Sequence, residues 1–339
     1  MKMSSLSRPE AHFAVDLVRQ CCDLAVAVQS DTVGAFLEKE DRSPVTLADF
    51  SVQALVSHRL VEAFPEVPLM AEESTSQLRG PEGEQLLERV AGYVREFEPS
   101  ANSESVRRWI DRSQWHGGKS FWVLDPIDGT KGFLRGAQYV VALALVKDGV
   151  VDIAVLGCPR LDFKPVNALG PIDTDPSEVG SLLFAVRGEG AWLTSLDGEA
   201  FVQLRVSDCE DPKHTVALRS FESGHTDGSW FERVVKDMGI ENDPILLDSQ
   251  AKYAVLAGGY AGLHLRLISP STPDYREKIW DVAAGALIVE EAGGIVTDLA
   301  GKKLDFEAGY RLENNRGILA SNGKLHEKAL NSLQATRQK

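Results

Sequence analysis

Positive charge is in short supply in this sequence. Its 339 residues carry 36 Lys and Arg against 50 Asp and Glu, a formal net charge of −14. So acidic a chain argues against general binding of nucleic acid or of an anionic membrane. It does not exclude a phosphorylated small molecule, because bound metal reverses the local sign. Cysteine is scarce too. Cys21, Cys22, Cys158 and Cys209 include no Cys-x-x-Cys pair, so no zinc site is indicated. There is no Asn-x-Ser/Thr sequon and no apolar run of bilayer-spanning length, and Met1 to Glu10 contain no secretory apolar core. We expect a reducing, intracellular setting. The cytoplasm comes first, with a plastid or mitochondrion as the alternative if a transit peptide precedes this numbering. Internal repeats and low-complexity tracts are absent. Gly188-Glu189-Gly190 lacks the third glycine and the following helix of a dinucleotide fingerprint.

What is present is an ordinary globular composition, 43% apolar and 25% charged, in a chain long enough for two domains. Its centre is Phe-Trp-Val-Leu-Asp-Pro-Ile-Asp-Gly-Thr-Lys-Gly-Phe-Leu-Arg-Gly at 121–136. Phe121 to Leu124 reads as a buried strand. Pro126 fixes one dihedral and removes a donor, which predicts that the strand stops at Asp125 rather than running on as a central ladder. Asp125 and Asp128 then concentrate negative charge at a strand end, which is costly unless a cation fills the site. Oxygen ligands of this kind suit Mg²⁺. The Gly129 and Thr130 amides are free to face an anion. A plain turn explains the same five residues, since Asp, Pro and Gly dominate turns.

Along the chain, Phe13, Leu17, Cys21, Leu24 and Val28 predict an amphipathic helix over 8–29. Thr46 and Asp49 fit a capping box before a second helix. Val67 to Met70 reads as a strand ending in Ala71-Glu72-Glu73. Residues 74–120 read as polar, acidic excursions packed on the outside of the first domain, with a helix over 86–97. Tyr139–Val146 and Val150–Leu156 form a hairpin across Lys147-Asp148-Gly149. Leu182–Arg187 and Ala191–Thr194 form another, and 164–180 is loop. A composition shift near Asp208–Lys213 suggests domains at 1–210 and 211–339. The second alternates short strands and helices, an α/β pattern. In it, Asp281 opens a helix as a capping residue would, and Gly293-Gly294 ends it.

Trp-Val-Leu-Asp-Pro-Ile-Asp-Gly-Thr at 122–130, Trp-Asp-Val-Ala-Ala-Gly at 280–285 and Glu-Ala-Gly-Gly at 291–294 resemble the two signatures of the inositol monophosphatase superfamily. These are Mg²⁺-dependent, often lithium-sensitive phosphatases. Within it, Ser-Pro-Val-Thr at 43–46, Asp-Gly-Thr-Lys-Gly-Phe-Leu-Arg-Gly at 128–136, Asp-Ser-Gln-Ala-Lys-Tyr at 248–253 and Tyr-Arg-Glu-Lys-Ile-Trp-Asp at 275–281 resemble the 3′(2′),5′-bisphosphate nucleotidases. These enzymes of sulfur metabolism remove the 3′-phosphate from adenosine 3′,5′-bisphosphate.

The resemblance implies a layered αβαβα sandwich, an α+β domain followed by an α/β domain. It implies two or three Mg²⁺ ions held by Glu72, Asp125, the Ile127 carbonyl, Asp128 and Asp281. Asp49 and Thr130 match the pair that orients and deprotonates the attacking water. The Gly129 and Thr130 amides match phosphate donors. His225, Ser249, Lys252, Arg266 and Lys278 match positions that contact the sugar or the 5′-phosphate, beside Asp281. Val282 departs from the pattern, standing where relatives often have histidine. The implied function is hydrolysis of adenosine 3′,5′-bisphosphate to AMP, with its 5′-phosphosulfate analogue as a second substrate, by a monomer that needs no nucleic acid or membrane. Two alternatives are an inositol polyphosphate 1-phosphatase and a non-catalytic bisphosphate sensor.

Overall fold

Apolar residues at helical spacing bury one side of α1 (Pro9–Asp31). The computed structural model describes residues 8–31, 36–38, 44–113, 118–163, 172, 174–222 and 226–337. A short antiparallel ribbon, β1 (Phe36–Glu38) and β2 (Pro44–Thr46), leads into α2 (Leu47–Ala63). The predicted capping box is present: the Ala48 amide donates to Thr46 Oγ1, and the Thr46 amide donates to Asp49 Oδ2 at 2.7 Å. After β3 (Leu69–Ala71) come α3 (Gly80–Arg95) and α4 (Ser103–Asp111). These two correct the expectation of outside excursions. Leu87, Val90, Val94, Val106 and Ile110 are fully buried in the same core as α1 and α2. Charged exposed faces hide that contribution in the composition.

β4 (Ser120–Asp128) carries the central motif, and α5 (Thr130–Leu134) follows its Gly129. Next come β5 (Val140–Lys147), β6 (Val150–Cys158), β7 (Ser181–Val186), β8 (Gly190–Ser195) and β9 (Val202–Gln203). The 147–149 hairpin turns through left-handed Asp148 and Gly149, φ 48° and 72°. β3 to β9 form one seven-stranded sheet in sequence order. Most of the predicted 164–180 loop lies outside the described residues. Strand β4 does not stop at Asp125. It runs through Pro126 to Asp128, with a register shift against β5 between Asp125 and Asp128. β3 pairs with it only as far as Leu124. Beyond that point β4 has a free edge and a bulge, where proline's missing donor costs nothing.

The second half contains β10 (Ala217–Arg219), α6 (Gly228–Met238), β11 (Ile245–Leu246), α7 (Ala251–Ala257), β12 (Leu263–Arg266), α8 (Ala283–Glu291), β13 (Ile295–Thr297), β14 (Ile318–Ser321) and α9 (His326–Thr336). Its five strands are ordered β11-β10-β12-β14-β13. The layers follow from which residues share a core. Trp122 and Leu124 of β4 face α1 and α2, while Phe121 and Val123 face α7 and α8. α7 and α8 lie between the sheets, and α6 and α9 cover the far face of the second. The result is the expected αβαβα stack. Every residue of α8 from Ala283 to Val289 is buried, as a helix between two sheets requires.

Candidate active site

The bulge at the end of β4 turns Asp125, Ile127 and Asp128 toward a cleft of about 400 Å³ between the two sheets. Glu72, just after β3, and Asp281, just before α8, line the same cleft. So do Gly129, Thr130, Ser249, Lys252, Arg266 and Lys278. Eleven of the thirteen residues singled out from the sequence therefore share one cavity wall. Asp49 does not line it. It is 1% exposed at the start of α2, with its carboxylate accepting from the Thr46 amide and hydroxyl at 2.7 Å each. His225 lies outside the described residues.

The electrostatics show how tightly the acids are grouped. Asp125 is 2% exposed, and its Oδ1 has no hydrogen-bond partner. Burial raises its pKa well above the usual carboxylate range, and the charges of Glu72, Asp128, Asp281 and Asp49 raise it further. Asp281 is raised by burial, then by Asp128, Glu72 and Glu277. Burial lifts Asp128 to about 6, opposed by the Lys252 ammonium and by the Gln250 amide, which donates to Asp128 Oδ2 at 2.6 Å. Among the described residues, no three His, Cys, Asp or Glu side chains form a ready-made metal cluster. Like charges in a shared low-dielectric site resist closer approach. An orphaned buried carboxylate oxygen facing three more acids fits a hard divalent cation, which would satisfy all of them at once.

Asp281 does not cap α8, which corrects the simpler expectation. It closes a 3₁₀ turn, Ile279–Asp281, and the capping position falls to Val282, whose side chain offers no acceptor. The Asp281 carboxylate is thus not committed to the helix end. Thr130 opens α5 with its hydroxyl donating to the Ile127 carbonyl at 3.2 Å. Gly129 before it has φ 88°, and a Cβ there would meet the Ser249 Cβ at 3.0 Å. Glycine is required on both counts.

Cations line the same cleft. Arg266 is held by Glu277, Nε to Oε1 at 2.9 Å. Lys252 is buried, which lowers its pKa to about 8, and its ammonium donates to the carbonyls of Ser249 at 2.7 Å and Leu247 at 3.1 Å. Of its three N–H groups one remains for a ligand. Lys278 lies over the rings of Trp280 and Tyr310, at 5.0 and 5.2 Å.

Sequence reasoning missed two groups here. Arg135 bridges Glu222 and Asp248 across the cleft mouth at 2.6 and 2.5 Å. The Phe-Leu-Arg-Gly end of the central motif was its signal. Gln250 was the other, a buried polar residue at the position just before α7.

Residues 8–338 match the family model described as the inositol monophosphatase family. A 3′(2′),5′-bisphosphate nucleotidase of Schizosaccharomyces pombe is 38% identical over 350 aligned residues, covering 97% of this chain and 96% of that protein. One of Dictyostelium discoideum is 35% identical, covering 96% of each. Among solved structures, Thermotoga maritima IMPase superimposes with a TM-score of 0.66 at 22% identity, over 97% of this chain and 98% of that one. At that identity the likeness speaks for the fold.

Proposed function

Because the chain belongs to the inositol monophosphatase family, we propose that it is a 3′(2′),5′-bisphosphate nucleotidase, the activity its relatives are named for. It removes the 3′-phosphate of adenosine 3′,5′-bisphosphate to give AMP and phosphate. One observation carries the reading: a single cleft is lined both by acids, Glu72, Asp125, Asp128 and Asp281, and by cations, Lys252, Arg266 and Lys278. A monophosphatase of a neutral sugar has no need of the second.

The family is magnesium-dependent in general. In this chain Glu72, Asp125, the Ile127 carbonyl, Asp128 and Asp281 would hold two or three Mg²⁺ ions. Bound Mg²⁺ supplies a water of lowered pKa and positive charge against the phosphoryl oxygens. Asp49, buried off the cleft lining but close enough for its charge to act on Asp125, would with the Thr130 hydroxyl orient the attacking water and take its proton. The Gly129 and Thr130 amides donate to the phosphate as its charge grows. Ser249, Lys252, Arg266 and Lys278 hold the sugar and the second phosphate, Arg and Lys matching phosphate in charge and donor geometry. His225 joins them. The substrate is a free small molecule and the enzyme acts as a monomer, without nucleic acid or membrane. Among the described residues no helix is long and apolar enough to cross a bilayer.

The test is phosphate release with Mg²⁺ from adenosine 3′,5′-bisphosphate, its 5′-phosphosulfate analogue, AMP, inositol 1-phosphate and inositol 1,4-bisphosphate. The two 3′-phosphorylated nucleotides should be hydrolysed fastest. Preference for inositol 1,4-bisphosphate would overturn the nucleotide assignment. Tight binding of every compound with no release would mark a sensor.

A further inference from the structure

We propose that Gln250 is a positioning residue that sets the spacing between Asp128 and Asp281, and through it the site's affinity for Mg²⁺. These two acids belong to different parts of the chain: Asp128 ends a strand of the first sheet, and Asp281 precedes the helix between the sheets. Gln250 is 1% exposed and touches both regions. Its backbone amide donates to Asp128 Oδ2 at 2.6 Å. Its side-chain Nε2 donates to the carbonyl of Trp280, the residue before Asp281, at 2.9 Å. Its Oε1 accepts from the Gly285 amide, also at 2.9 Å.

The last bond explains how α8 does without a cap of its own. The first turn of a helix leaves amides with no partner inside the helix, and a capping side chain normally takes one. Val282 cannot. Gln250 fills that role from 35 positions away in sequence. One amide side chain therefore fixes both the carbonyl before Asp281 and the helix after it, while the same residue's main chain fixes Asp128. Lateral slip between α7 and α8 is blocked as well, because Gly285 packs so closely that a Cβ there would strike the Tyr253 ring at 2.4 Å. A turn with left-handed Ser249, φ 62°, aims the Gln250 amide at Asp128. A misplacement near 1 Å costs a catalytic site about 10²-fold, and losing a partner that orients metal ligands costs about 10–100-fold in metal affinity.

The inference rests on reading the cleft as a magnesium phosphatase, and the experiment separates the two. Gln250→Met keeps the volume and removes both side-chain bonds. Gln250→Glu keeps the acceptor for Gly285 and loses the donor to Trp280. Mg²⁺ binding by the intact chain is measured first by calorimetry; no binding there sinks the underlying reading. In both variants the Mg²⁺ dissociation constant, and the Mg²⁺ concentration for half-maximal rate, should rise about tenfold or more. KM for the nucleotide at saturating Mg²⁺ should stay within about threefold, while the two buried groups left unpaired in Gln250→Met lower the metal-free melting temperature by about 4–12 °C, at roughly 2 °C per kcal/mol. Unchanged Mg²⁺ affinity would overturn the proposal. So would a fall in melting temperature that accounts for all lost activity, or failure of both variants to fold, since either means that Gln250 holds the core and not the site.

Discussion

Removing one buried charge should strengthen the metal-free protein and ruin the enzyme. The substitution is Asp125→Asn. In chelator, Asp125 keeps an oxygen with no partner at 2% exposure, and four neighbouring acids raise its pKa after burial has already done so. Asparagine has the same shape, no charge, and an amide that donates to those neighbours. An unsatisfied buried acceptor costs about 1–3 kcal/mol, so relief of that order is expected. For a chain of this size that is a rise of about 2–6 °C in melting temperature, at roughly 2 °C per kcal/mol. With Mg²⁺ the order reverses. A ligand at ten times its Kd stabilises the native state by about 1.4 kcal/mol, and the variant has lost the carboxylate shared between ions. Turnover should drop by at least ~10³-fold. The assay is thermal unfolding in EDTA and across a Mg²⁺ series, with phosphate release measured in parallel. If Asp125→Asn melts below the unmodified chain in EDTA, or gains as much from Mg²⁺ as that chain does, the electrostatic reasoning fails.

Lys252→Met should raise KM for adenosine 3′,5′-bisphosphate by about 10–100-fold, the worth of a charge-assisted bond to phosphate, and alter a monophosphate's by about threefold or less. Equal losses in steady-state kinetics would mean that the ammonium serves only the Leu247 and Ser249 carbonyls. Asp152→Asn should cost about 1 kcal/mol, because Arg8 grips that carboxylate with two bonds of 2.9 and 2.6 Å, tying the start of α1 to β6. The Arg8 bond leads in lowering the Asp152 pKa from 3.8. Its native state thus binds fewer protons than the unfolded one, so the contribution is present above about pH 4 and vanishes as pH falls through the depressed native value. Denaturant melts at pH 7 and pH 3 check this: the difference between the two proteins should shrink at the lower pH.

The parts of this molecule that could be read in advance are those governed by neighbours in sequence. The Thr46–Asp49 capping box, the Asp148-Gly149 hairpin and the Gly293 stop after α8 each depend on a few adjacent residues. Asp125 and Asp128 stood out because two acids beside a proline and a glycine make an unusual strand end. Pro126 misled because its cost depends on pairing: β3 ends its ladder at Leu124, which no local pattern reveals. Residues 74–113 misled because charged outer faces mask helices whose other faces complete the core. Asp281 looked like a cap because the true one, Gln250, comes from the turn before α7. Strand β14 and helix α9, which complete the second sheet and its cover, were passed over. Their buried faces are short and match only once the sheet order is known.

The burial of α8 on every side has a consequence for how substrate gets in. Its apolar surface packs against the strands above and below, so moving the two sheets apart to widen the cleft would expose the centre of the molecule. Nucleotide must slot into a mould already set, and discrimination then comes from the placement of fixed charges rather than from a closing jaw.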